Sequence, residues 1–206
     1  MSAKSYSPVA ACLLFLSILF ISPVSAKADT ITFEFDPVQV NLPNGFRSVE
    51  SNLVSFSASR LNTIHIHPAS FGSGEMVFFG TRGLANEAAT LFMDFDVPVT
   101  SLSLWFGNDH FGDTFEGDRA ILRTFLDGVF VGESIVLLNR DTIINQQILF
   151  SGALFNRATF DFSTDEVVQT IDNIEFTPVP EPASIALLAI GITGVAARIR
   201  RRRNCR

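Results

Sequence analysis

The middle of the chain alternates apolar and polar residues with a period of two. Ile31, Phe33 and Phe35 alternate with Thr32 and Glu34, and the same pattern recurs through Leu91, Met93 and Phe95 and through Leu102, Leu104 and Phe106. Successive side chains on a strand point to opposite faces, so this spacing predicts half-buried β-strands. Further strands are predicted at Val54–Ala58, Ile64–His67, Met76–Phe79, Ile121–Leu126, Phe130–Gly132, Ser134–Leu138, Gln147–Phe150, Ala158–Phe162 and Ile171–Phe176. Asp127-Gly128, set between Phe125-Leu126 and Val129-Phe130, is a hairpin signal, because glycine accepts the positive φ of a tight turn. No helical periodicity occurs outside the termini, and no repeat has solenoid or propeller spacing. The expectation is an all-β fold, a single sandwich of jelly-roll type.

Two apolar runs break the alternation, one at each end. Lys4 precedes an apolar stretch from Val9 to Ile21, which stops at Pro23 and is followed by small residues at Ala26 and Ala28. That order predicts a secretory signal peptide over 1–28, cleaved by signal peptidase after Ala26 or Ala28. Val9-Ala10-Ala11-Cys12 has the composition of a lipid-attachment box, but its apolar run follows the cysteine instead of preceding it. At the other end, Thr177-Pro178-Val179-Pro180-Glu181-Pro182 predicts a stiff extended linker, since proline fixes its own backbone and restricts its predecessor. Ala183–Ala197 is uncharged, and Arg198, Arg200, Arg201, Arg202 and Arg203 close it. A transmembrane helix over 183–199 is predicted, somewhat short of the roughly 20 residues a full crossing needs. Arginines at its end fit a cytoplasmic stop, with the preceding domain outside. The expected organisation is thus 1–28 signal peptide, 29–177 secreted β-domain and 178–206 C-terminal signal.

Composition adds a charge asymmetry. Between Asp29 and Pro180 there are 7 Arg and no Lys against 20 Asp or Glu, a balance of −13, whereas the tail from Arg198 to Arg206 holds six Arg. An acidic domain without lysine is a poor partner for nucleic acid, whose binding is driven by phosphate neutralisation. Of the 21 Phe, 19 lie between the terminal segments, an aromatic load suited to a packed core. Both cysteines, Cys12 and Cys205, fall in the terminal segments, so the domain has neither a disulfide nor a thiol.

The order Val179-Pro180-Glu181-Pro182, Ala-Ser, an apolar stretch and a terminal Arg cluster resembles the PEP-CTERM protein-sorting signal. That resemblance covers about the last 28 residues. It implies processing by an exosortase, a membrane-embedded protease of exopolysaccharide-making Gram-negative bacteria, near Pro180-Glu181-Pro182. The protein would be tethered transiently in the membrane, then released to the cell surface or extracellular matrix. Ile171-Asp172-Asn173-Ile174-Glu175-Phe176 is similar to the final strand of jelly-roll domains common in such exported proteins, which implies a fold and not a ligand.

Three groupings have residues suited to cations. Calcium takes six to eight oxygen ligands, and Asp109, Asp113, Glu116 and Asp118 lie together in a Gly-containing segment. Their spacing departs from an EF-hand, so a solvated loop explains them as well. Glu34 or Asp36 near the first strand and Asp172 in the last offer a second calcium site, which would tie the chain ends together. His65 and His67 share one strand face, but without a third ligand they read as an exposed polar face. Catalysis has little support, with no Gly-x-Ser-x-Gly elbow and no cysteine in the domain. Trp105 is expected in the core between Leu104 and Phe106, and without tyrosine after Ala28 surface aromatic platforms are expected to be scarce. The function expected is a non-catalytic structural or interaction role at the cell surface. A calcium-dependent carbohydrate-binding module retained in exopolysaccharide is the alternative, and a secreted hydrolase a more distant one.

Overall fold

The computed structural model describes residues 27–68, 80–108, 116–139, 141, 143–164 and 167–179. The predicted signal peptide up to Ala26, the segment from Pro180 onward and the predicted strand Met76–Phe79 therefore lie outside the described residues. Ten strands follow in chain order: β1 (Asp29–Ile31), β2 (Gln39–Leu42), β3 (Val54–Ala58), β4 (Ile64–Pro68), β5 (Arg82–Glu87), β6 (Leu91–Asn108), β7 (Arg119–Leu126), β8 (Val129–Leu137), β9 (Gln146–Phe162) and β10 (Val168–Pro178). The described residues contain no helix.

All neighbouring strands are antiparallel, in the order β2-β4-β5-β10-β6-β9-β7-β8, with β1 added to β10 and β3 to β6. The two long strands β6 and β9 organise this sheet. Before Pro98, β6 runs between β3 and β9; after it, between β10 and β9, with register shifts between Asp94 and Ser101. There the sheet doubles over, and the two halves close on one apolar core. Phe106, on the β10 side of the bend, lies 5.5 Å from Phe160 on the β3 side, and Phe95 lies 5.1 Å from Phe176. Leu91, Met93, Leu102, Leu104 and Phe106 are all fully buried, as their alternation predicts. The fold is the expected all-β sandwich.

The Asp127-Gly128 turn forms as expected, with both residues at positive φ (51° and 82°) joining β7 to β8. The first predicted strand, by contrast, ends early. Phe33 is fully buried but sits at φ 60°, the Asp36 N–H donates back to its carbonyl at 3.1 Å, and Phe35 turns out to solvent. Glu50 imposes this turn by accepting the Thr32 and Phe35 N–H groups at 2.5 and 3.1 Å. The Asp172-Asn173 pair marks a register shift in β10, where Asn173 adopts φ 45°. Asparagine tolerates that region, and the shift is where β10 exchanges β5 for β1 as its neighbour. The expected linker from Thr177 also begins later. Pro178 still pairs with Val99, and the Val179 N–H donates to the Pro98 carbonyl at 2.8 Å.

Candidate functional site

Glu34, Asp36 and Asp172 are positioned by protein donors. The Glu34 carboxylate accepts the Thr81 N–H and hydroxyl, each at 2.6 Å, and the Arg82 N–H at 3.0 Å. Burial pushes this carboxyl up, but those hydrogen bonds outweigh it and hold it below the ordinary carboxylate range. Gly80 makes room for it, since a Cβ there would lie 1.9 Å from Glu34 Oε1. Asp36 is fully buried and accepts the Ser48 hydroxyl at 2.5 Å and the Val49 N–H at 3.0 Å, while its carbonyl takes the Arg82 guanidinium. Asp172 is buried and accepts the Asn173 N–H at 2.7 Å. Glu34 and Asp36 thereby staple the segment after β1 to its surroundings. Asp109 and Asp113 lie outside the described residues; Glu116 is exposed and Asp118 accepts the Ser163 hydroxyl at 3.4 Å. Among the described residues no three His, Cys, Asp or Glu side chains converge as a metal site.

His65 and His67 are not on an exposed face. Both are buried, with ring centroids 5.2 Å apart. His65 Nδ1 accepts the Asn41 N–H at 3.0 Å, so in the neutral ring the proton sits on Nε2. That Nε2 lies 3.2 Å from Glu87 Oε1, an ion-pair distance without hydrogen-bond alignment. A protonated Nε2 is not a metal-ligating nitrogen. Burial first, and the neighbouring His65 second, depress the His67 pKa to about 4.

Trp105 corrects another expectation. Strand alternation sends Leu104 and Phe106 into the core and Trp105 to the opposite side, where it is half-buried. The aromatic content of the surface is also higher than expected, because phenylalanines occupy outward positions on the β3–β6–β9–β7–β8 half. Register places Ser55 beside Asp94, Asp94 beside Arg157, Arg157 beside Phe125 and Phe125 beside Phe130 in one row. A second row runs Ser57, Phe92, Thr159, Arg123, Glu133. Phe130 is 54% exposed and meets Phe125 edge-on at 5.9 Å.

The polar groups of this face are held in pairs. Arg157 Nε donates to Asp94 at 2.5 Å and its guanidinium lies 5.9 Å from the centre of the Phe92 ring. The bond to Asp94 raises the Arg157 pKa further. Arg123 pairs with Glu133 at 3.3 Å. At the hairpin end, the Asn156 amide donates to Asp127 Oδ1 at 2.8 Å and its oxygen accepts the Asp127 N–H at 3.0 Å. An open cavity of about 290 Å³ lies there, lined by Asp94, Phe95, Asp127, Gly128, Asn156 and Arg157. Sequence reasoning missed this face, and only the Asp127-Gly128 turn pointed to its edge.

Comparison with known proteins bears on the fold and on the C-terminus. A DUF4465 family protein from Bacteroides caccae ATCC 43185 is similar in structure, with TM-score 0.52 and 14% identity over 74% of this chain and 100% of that one. The K2 cleaved adhesin domain of Lys-gingipain has TM-score 0.47 and 11% identity over 73% of this chain and 99% of that one. TmCBM61, solved with beta-1,4-galactotriose, has TM-score 0.37 and 11% identity over 68% and 99%. At these identities the first likeness shows a shared sandwich fold and leaves the ligand open. No curated protein matches the chain significantly. Residues 178–202 match the family model of the PEP-CTERM protein-sorting motif. The chain therefore carries the motif that marks an exported protein for exosortase, and the motif's first residues, Pro178 and Val179, are also the last described residues, bonded to Val99 and Pro98 of an all-β sandwich.

Proposed function

We propose that this protein is a non-catalytic interaction protein of the cell surface or extracellular polysaccharide matrix, delivered there by exosortase processing of its C-terminal signal. The observation that carries the reading is the sorting motif at 178–202, placed after a cysteine-free domain with a charge balance of −13 between Asp29 and Pro180. Such a charge keeps a protein soluble and disfavours non-specific binding to other acidic polymers. The signal-peptide pattern at the N-terminus sends the domain outward, and the terminal arginines hold the last segment inside until it is cut. Cleavage near Pro180-Glu181-Pro182 would separate the sandwich from the apolar stretch and leave no membrane anchor.

Deletion of residues 180–206 tests this in the producing cells. The truncated protein is expected to miss exosortase processing and change its distribution between membrane, surface and medium. Unaltered surface display would overturn the reading.

A further inference from the structure

The outward face built by β6, β9, β7 and β8 combines three properties. It offers aromatic carbon at Phe92, Phe125 and Phe130, it interleaves that carbon with fixed donors and acceptors, and the charges of its two rows cancel. Asp94 pairs with Arg157 and Arg123 with Glu133, so the two rows carry no net charge although the whole domain is strongly acidic, and Asp127, bonded to the neutral Asn156 amide, adds one negative charge at the hairpin end. An anionic ligand would meet the domain's negative field, and a purely apolar partner would have to desolvate two ion pairs. A neutral ligand that alternates C–H faces with hydroxyls meets neither cost. Sugar rings have that chemistry. Their axial C–H faces rest on aromatic rings, and each hydroxyl both donates and accepts, matching an acceptor carboxylate beside a donor amide or guanidinium.

The hairpin end supplies such a set. The Asp127 carboxylate and Asn156 amide lie side by side at 2.8 Å, held by the left-handed turn at Asp127. Asp94 and Arg157 line the same cavity, and its volume of about 290 Å³ sits at the lower end of small-molecule pockets, a size for one ring and not for a whole oligomer. We propose that this face binds a neutral, hydroxyl-rich glycan chain, with one ring in the cavity beside Asp127 and Asn156 and the neighbouring rings along Phe125 and Phe130. This deepens the surface role proposed above and rests on it for biological meaning, but its test does not depend on sorting.

The exported protein is run through native gels that contain dextran, galactomannan, xyloglucan or, as the anionic comparison, alginate. Retardation is expected in at least one neutral gel and not in alginate. Asn156→Ala and Phe130→Ala, both of which change solvent-accessible side chains, are expected to weaken that retardation about tenfold, the scale of one lost hydrogen bond or stacking contact. Leu137→Ala, on the same strand but outside the two rows, is expected to bind as the parent does. Thermal melting of each variant separates lost binding from lost fold. Migration unaffected by every neutral polymer, retardation in alginate alone, or equal retardation of parent, Asn156→Ala and Phe130→Ala would overturn the proposal. So would a dimer in sedimentation that Phe130→Ala dissociates, since the face would then belong to a second copy. A failure here with normal C-terminal processing leaves the sorting role standing, whereas unaltered display after deletion of 180–206 defeats that role alone.

Discussion

Asp36 shows how a single buried carboxylate can organise a segment. It is fully buried, and both of its oxygens are occupied, one by the Ser48 hydroxyl and one by the Val49 N–H. Asp36→Ala would leave the buried Ser48 hydroxyl and the part-buried Val49 N–H without their acceptor, which costs about 1–3 kcal/mol of stability. A lower midpoint in chemical denaturation checks this. His67 contributes a pH dependence. Its folded pKa of about 4 lies below the ordinary value of 6.5, so between those values the unfolded chain takes up the proton and the folded chain does not. The stability is present above 6.5, falls as the pH drops towards 4, and amounts to at most ~3 kcal/mol. Glu34 and Asp96 act at lower pH, because the stability that comes with their lowered pKa values is lost from the ordinary carboxylate range downward. Denaturation midpoints at pH 7, 5.5 and 4.5 are therefore expected to fall for the parent and to stay nearly level for His67→Gln.

The β7–β8 hairpin is where sequence and structure agree most closely, and Gly128 makes the agreement testable. Gly128 sits at φ 82° with open space around the position a Cβ would take. A β-branched residue there meets backbone strain and not a clash, so Gly128→Val is expected to lower stability by about 1–3 kcal/mol without disturbing the core. A melting temperature equal to the parent's would contradict the turn assignment. Elsewhere the limits of alternation are visible. β3 matches its expected bounds of Val54–Ala58, but β8 and β9 each appear in the sequence as two shorter strands. Glu133 and Ser151-Gly152 fall between the predicted pieces, yet they lie inside continuous strands, where bulges and bends use the same residues as turns. β5, with Gly83 and Ala85 at its centre, was invisible because its small residues carry no strand preference. The outer face was hidden for a related reason. Phe125 and Phe130 add to an apolar count that predicts core, and only the register shows that they point away from it.

At the level of the whole chain, the described sandwich accounts for Lys27 to Val179, and the sorting motif overlaps it at Pro178 and Val179. Because the Val179 N–H is bonded to the Pro98 carbonyl, little free chain separates the last strand from Pro180. At the other end, β1 begins at Asp29, whose carboxylate accepts the Ser51 hydroxyl, so removal of the signal peptide after Ala26 or Ala28 leaves β1 whole. Both expected cuts therefore fall at the borders of the sandwich and not within it. The C-terminal sorting motif was legible because such a signal works through short, contiguous composition. The surface chemistry was not, because it joins residues from four strands far apart in sequence. Intact-mass analysis of the exported protein tests the central claim most directly. The predicted result is a chain that starts at Lys27 or Asp29, ends within or next to Pro180-Glu181-Pro182, and has lost all six terminal arginines. A mature protein that keeps Arg198 to Arg206 would contradict it.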